Sequence, residues 1–335
     1  MGRKLGIHWW PLRVDGRGLV QANESLLRPF STPISFYNQG MSAFLVASLL
    51  IQTQLDPNNL SIGPTGTVKV APGQIVETKS GKVVTLAEVA KASKGKRFLF
   101  VGENHGTRPH QQMEADTVQA LVDAGFTPAV GVEFFQRPKQ DVLDLWSTGT
   151  LSEEDFLTQS DWKTQWGFGY EFYRPLFEVI KSKKLPLVGL NVPRDWVRKV
   201  SKGGYEALPL SARMQLPTTV DLKNTNHKTV FNSLMGGHDM GPSMANIYSA
   251  QVLWDAGMAD TAAKYLQVNK PKSTDIFVVV AGSGHVMYGQ GINYRLANRK
   301  AGTGLNLVMI QSESPVDVAK GLGDYVFVST PEPKK

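Results

Sequence analysis

Two histidines each stand three residues after a glycine that ends an apolar, strand-like run: His105 in Phe98-Leu-Phe-Val-Gly-Glu-Asn-His105, and His285 in Phe277-Val-Val-Val-Ala-Gly-Ser-Gly-His285. A buried strand that stops at glycine can turn sharply and place the next polar side chains at the carboxyl edge of a sheet, where open α/β folds gather ligands. Glu103 puts a carboxylate beside the first imidazole, and His110 follows at the start of the next helical pattern. Glu133 closes another apolar run, Gly131-Val-Glu-Phe-Phe135. Imidazole and carboxylate together can ligate a divalent metal or hold an anionic ligand. A carboxylate in so apolar a setting needs a neutralising partner, and Arg137 and His285 are the two candidates. His238 lies among Met235, Met240 and Met244, a group of soft donors of the kind that serve haem iron or copper, although methionine is also ordinary filler. Patterns for nucleotide loops and for a serine-nucleophile elbow are absent.

The elements that must position these groups follow from periodicity. Near-continuous apolar runs at Arg97–Val101, Pro128–Phe134, Leu185–Leu190, Asp275–Ala281, Leu305–Ile310 and Asp324–Val328 alternate with helical patterns at Pro109–Ala124, Lys139–Trp146, Ser152–Leu157, Tyr170–Ser182, Pro193–Val200 and Ser243–Leu266. That rhythm predicts an α/β fold with a mostly parallel central sheet flanked by helices. Gly66–Val70 and Gln74–Thr78 read as a short hairpin around Pro72-Gly73, and Thr85 with Glu88 has capping-box spacing. Residues 203–242 read as a helical insertion or mobile lid, and 1–65 as an irregular extension interrupted by Pro11, Pro29, Pro33 and Pro57. The expected domain therefore runs from 66 to 330.

With 335 residues, 41% hydrophobic and 19% charged, the chain has the composition of a folded protein rather than a disordered one. The net charge of +7 is scattered, without a basic helix or arm, so a nucleic-acid partner is not expected; an anionic ligand or peripheral contact with an anionic membrane suits it better. Cysteine is absent, which excludes disulfides, thiolate metal sites and a cysteine nucleophile. No apolar run is long enough to span a bilayer. The longest, Met41–Ile51, has the length of a signal-peptide core and equally that of a buried or surface-lying segment.

The motifs resemble the ChaN-type haem-binding uptake family of the Tiki/TraB superfamily, which is marked by paired Gly-x-x-His elements. The resemblance covers roughly Thr85 to Val328. It rests on Val101-Gly-Glu-Asn-His105 with His110 and Gln111, Val132-Glu-Phe-Phe135 with Gln140, Trp162 and Trp166, and Tyr173-Arg-Pro-Leu176. Gly189-Leu-Asn-Val-Pro-Arg194, Ala250-Gln-Val-Leu-Trp-Asp-Ala-Gly-Met-Ala259 and Ala281-Gly-Ser-Gly-His285 extend it. It implies haem or iron handling in an extracytoplasmic or membrane-associated setting, with homodimers that sandwich the ligand. It also implies a central pocket of Glu103, His105, Glu133 and His285, with His110, Arg194 and His238 nearby. Tyr288, Tyr170, His238 and His285 are then the candidates for the iron, and basic side chains meet the propionates. The alternative is a metal-dependent hydrolase in which His105, Glu133 and His285 hold a divalent ion and Glu103 activates its water. Departures from the family pattern are Gln111 where a second histidine is usual, Gly291-Ile-Asn for Gly-Val-Pro, and the missing lipid-bearing cysteine.

Overall fold

A computed structural model describes residues 55–217, 220–236, 242–270, 272 and 274–332. The 41–51 segment and His238 lie outside them.

Eight strands form one sheet. Taking the strands as β1 (Thr67–Val70), β2 (Ile75–Glu77), β3 (Lys82–Val84), β4 (Phe98–Glu103), β5 (Thr127–Gln136), β6 (Leu187–Asn191), β7 (Asp275–Gly282), β8 (Gly304–Gln311), β9 (Val316–Ala319) and β10 (Tyr325–Ser329), the order is β3-β2-β10-β8-β4-β7-β5-β6. From β10 to β6 every pairing is parallel. Parallel strands are covered on both faces, which is why β4 and β7 are apolar almost throughout and buried nearly end to end. All six apolar runs of the sequence became strands of this sheet.

The helices are α1 (Leu86–Ala92), α2 (Arg108–Asp123), α3 (Gln140–Ser147), α4 (Glu153–Ser160), α5 (Trp162–Gln165), α6 (Tyr170–Lys183), α7 (Arg194–Gly203), α8 (Leu210–Arg213), α9 (Thr225–Leu234), α10 (Pro242–Asn269) and α11 (Ile292–Asn298). One sheet face takes α10 and α11 through Met258, Ala259, Ala262, Ile292 and Leu296 against Phe98, Phe100, Phe277 and Val279. Elsewhere α2 packs on β5 and on α6, and beyond it Phe134, Phe135, Trp146, Phe156, Trp162 and Phe177 form a continuous aromatic layer. Thr85 caps α1 as its spacing predicts, with the Glu88 carboxylate accepting from the Thr85 backbone at 2.7 Å.

One expectation is corrected. The hairpin around Pro72-Gly73 does not form: β1 pairs with β9, whereas β2 pairs with β3 and β10. Alternation in a four-residue strand does not specify its partner, and Gly73 is held instead by the Val328 carbonyl. The described part of the 203–242 segment carries α8 and α9. Leu208, Ala212 and Leu216 are buried with α7 and α10, and α9 buries His227, Val230 and Phe231.

Candidate functional site

The carboxyl ends of β4, β5 and β7 bring Glu103, His105, Glu133 and His285 together. Backbone approach is what makes this arrangement possible. A β-carbon on Gly282 would stand 2.9 Å from His105 Cε1 and 3.7 Å from Glu133 Oε2, so both side chains lie against that glycine. A β-carbon on Gly102 would strike Val286 at 2.6 Å and the Ser283 backbone at 3.0 Å, so the bare strand end lets the His285 turn close over it.

His285 is the hub of the inner half. Its Nδ1 lies 2.5 Å from Asp255 Oδ1 and its Nε2 3.4 Å from Glu133 Oε1, and the Gln251 amide is 3.0 Å from the same Nδ1. Asp255 also faces His227 Nε2 at 2.8 Å and Arg295 at 3.5 Å, and the Tyr248 hydroxyl is 3.1 Å from His227 Nδ1. Burial works against charge on His285, but Glu133 and Asp255 outweigh it and push the imidazole up to about 10. Glu133 responds reciprocally. Burial alone would raise it, yet the charges of His285 and His105 and the Gly282 amide, 2.8 Å from Oε2, bring it down to about 2. Asp255 is likewise held well below the carboxylate range, His285 and Arg295 overcoming its burial.

The outer half is built on Glu103. His105 Nδ1 donates to Glu103 Oε1 at 2.8 Å, Tyr173 donates at 3.3 Å, and Gln111 donates to Oε2. Burial would lower His105, but Glu103 raises it above the ordinary histidine value. The Tyr173 hydroxyl also accepts from Gly106 N–H. Beneath them Glu114, fully buried, is pushed well above the carboxylate range by burial and then by the charge of Glu103. Glu114→Gln should therefore change unfolding free energy by less than about 1 kcal/mol, because burial favours the uncharged carboxyl and an amide of the same shape replaces it. A loss of several kcal/mol in urea denaturation would mean that Glu114 is ionised.

The remaining sequence candidates are placed elsewhere. His110 accepts from Asn104 N–H at 2.9 Å through Nδ1, while its Nε2 faces Ser329 Oγ at 3.1 Å and the Ile310 carbonyl at 3.3 Å. Burial lowers it to about 4, so it is a neutral residue inside the β8–β10 side of the sheet. Arg194 donates to the Thr164 and Gln165 carbonyls. Tyr288 accepts from Leu60 N–H at 2.8 Å and donates to Pro57 O at 2.9 Å. Tyr170 lies in the aromatic layer, stacked on Phe177. Met235 and Met244 pack beside Phe231, Tyr248 and Val252. Arg137 does not neutralise Glu133; it turns to Asp260 at 3.3 Å and to Thr261 and the Gly257 carbonyl.

Asp255, His227, Tyr173 and Glu114 were not singled out as site residues in the sequence. The available signal was Asp255 itself, a carboxylate inside the apolar stretch Val252–Ala259 of α10. Gln251, four residues earlier, shares its helix face.

Chemically the cluster is a set of imidazole–carboxylate pairs that can hold and exchange protons. Among the described residues no group of three or more His, Asp or Glu side chains is arranged to hold a metal ion. In this arrangement the imidazole nitrogens of His285 face the Asp255 and Glu133 carboxylates. Two surface cavities, of about 410 and 230 Å³, open at the opposite, amino-terminal edge of the sheet around Pro186.

At the surface of the cluster, His105 meets Trp166 edge-on at 4.6 Å and Phe168 at 5.6 Å. Exposed Arg108 lies 4.4 Å above the Phe172 ring. Phe168 and Phe172 are both half-buried.

The family described as haem-binding uptake, Tiki superfamily, ChaN matches residues 89–296. No curated protein matches. Among solved structures, ChaN of Campylobacter jejuni, described with cofacial haem binding, is similar with a TM-score of 0.60 and 18% identity over 76% of this chain and 95% of that one. The type III effector HopBA1 gives 0.45 and 12%, covering 78% and 97%. The erythromycin esterase EreC gives 0.43 and 12%, covering 75% and 83%.

Proposed function

From the premise that this chain belongs to the haem-binding uptake (ChaN) family of the Tiki superfamily, we propose that it binds haem at the carboxyl edge of the sheet, in haem or iron uptake or handling. The observation that carries the reading is the exposed edge itself, where Phe168, Phe172 and Arg108 adjoin the His105 turn. A porphyrin is flat, apolar over its faces and anionic at its propionates. Half-buried aromatic rings suit its faces, and a guanidinium suits a carboxylate in a bidentate pair. The donor chemistry fits the group in the same terms. The buried cluster beneath is the rigid floor that orients His105 and the loop after β4.

Haem, when bound, would supply an iron able to take a protein donor. Of the candidates, Tyr288, His285 and Tyr170 are committed to the interior, which makes His238 the side chain to test. Arg108 would meet the propionates.

Titration of the full-length protein with haemin should give a saturable shift of the Soret band. His238→Ala should change the position of that band, and Arg108→Ala should weaken affinity by about tenfold, the equivalent of ~1.4 kcal/mol for one charged contact. Absorption that never departs from that of free haemin would end this reading.

A further inference from the structure

Tyr288 adopts φ +56° and ψ 11°, a left-handed conformation that a bulky aromatic residue rarely takes and that must be held by its surroundings. The other four non-glycine residues with positive φ among those described, Asp161, Lys184, Lys270 and Lys300, are polar residues at helix ends or loops. Tyr288 instead is buried, three residues after His285 and within the turn that carries it.

Its bonds show what holds it. The hydroxyl accepts from Leu60 N–H and donates to Pro57 O, at 2.8 and 2.9 Å, so one side chain satisfies both backbone groups of the Pro57–Ile62 segment that face it. Its own N–H donates to the Leu322 carbonyl at 2.8 Å, and its carbonyl accepts from Gln290, whose side chain also bonds Asn224, the cap of α9. The same segment buries Leu60 and Ile62 in the cluster containing Met287, Tyr288, Leu322 and Val318. Its far side is stitched to β9 by Asn58 O, which accepts from Ala319 N–H, and by Asn59, which donates to Asp317 O. Beyond Tyr288 the turn has little slack: Asn293 and Asn306 both donate to the Val286 carbonyl, and Gly291 lies directly against the His285 carbonyl.

We propose that Pro57–Ile62 is a strap latched by the Tyr288 hydroxyl, and that its seating is coupled to the turn that holds His285 and so to the His285–Asp255–Glu133 cluster. Tyr288 is a positioning residue in this device: it acts on His285 through the turn. The coupling is independent of whether haem is the ligand.

The test is hydrogen–deuterium exchange of the full-length protein by mass spectrometry, with two variants that loosen the strap from opposite sides. Tyr288→Phe removes both hydroxyl bonds and keeps the ring. Asn59→Ala removes the tie to Asp317 without touching Tyr288. Each should raise exchange by about tenfold or more in peptides spanning 57–62 and also in those spanning 283–291, while peptides of β4 and β5 stay at wild-type rates. Faster exchange at 57–62 with 283–291 unchanged in both variants would show a strap without coupling and overturn the proposal. No change at 57–62 in either variant would show that these bonds do not hold the strap, and would overturn it equally. Haemin titration reads the proposed function separately.

Discussion

Asp255→Asn is expected to lower the free energy of unfolding by about 3–5 kcal/mol, measured by urea denaturation at neutral pH. The side chain keeps its shape and loses only its charge, yet His285, His227 and Arg295 all face it at 2.5, 2.8 and 3.5 Å inside the protein. Removing the charge of Asp255 takes a buried counter-charge away from His285 and Arg295, and that accounts for the size of the effect. The pKa of His285, followed by NMR of its ring, should fall from its raised position in the same variant. A loss below 1 kcal/mol with an unmoved His285 would mean that Asp255 does not hold the imidazolium.

The same cluster fixes how stability varies with pH. His285 titrates near 10 in the folded protein against an ordinary 6.5, so its contribution is complete below 6.5 and disappears as pH rises through about 10. His110, lowered to about 4, acts in the opposite sense: its contribution is present above 6.5 and disappears as pH falls towards about 4. Glu133 adds a further loss below its ordinary 4.5, towards about 2. Stability should therefore be greatest around pH 6–7 and decline on both sides. In Asp255→Asn the alkaline limb should flatten, while the His110 limb remains.

Gly291→Ala is the second large effect. A β-carbon there would fall onto the His285 carbonyl oxygen and carbon, and neither is the end of a flexible side chain that can swing aside. Relief requires the turn between His285 and Gly291 to move, at a cost of about 3 kcal/mol or more in thermal or chemical unfolding. Gly289→Ala is the internal control. It lies in the same turn with φ +68° and open space within 4 Å, so it carries only the strain of a left-handed alanine, about 1 kcal/mol. Equal effects of the two substitutions would show that steric contact with His285 is not what the turn depends on.

These expectations rest on features of unequal legibility. The two Gly-x-x-His elements were readable because they end long apolar runs, and a parallel sheet buried on both faces leaves just that trace. Glu133 was readable as a carboxylate needing a partner, but the partner was not: Arg137 is four residues away in sequence and turns to Asp260, whereas His285 is 152 positions away and lies beside Glu133 across the β5–β7 pairing. The hairpin at Pro72-Gly73 failed for a related reason, since three- and four-residue strands carry too little pattern to specify which neighbour they join. Asp255 and His227 went unassigned because an isolated charge in a helix reads the same whether it meets solvent, a lone counter-charge or a buried network.

By itself, then, the chain's order of apolar and polar residues determined a mostly parallel α/β sheet, which strand ends carry imidazole and carboxylate, and the family to which it belongs. Those follow from local pattern, because burial on one or both faces is written into successive residues. Only the tertiary structure decided the company each group keeps: His285 with Asp255 and Glu133, His105 with Glu103, His110 sequestered and neutral, Tyr288 tied to residues 57–62. Protonation and reach depend on distances between segments far apart in sequence, set when α10 and the β7 turn pack against the sheet, and no local pattern encodes them.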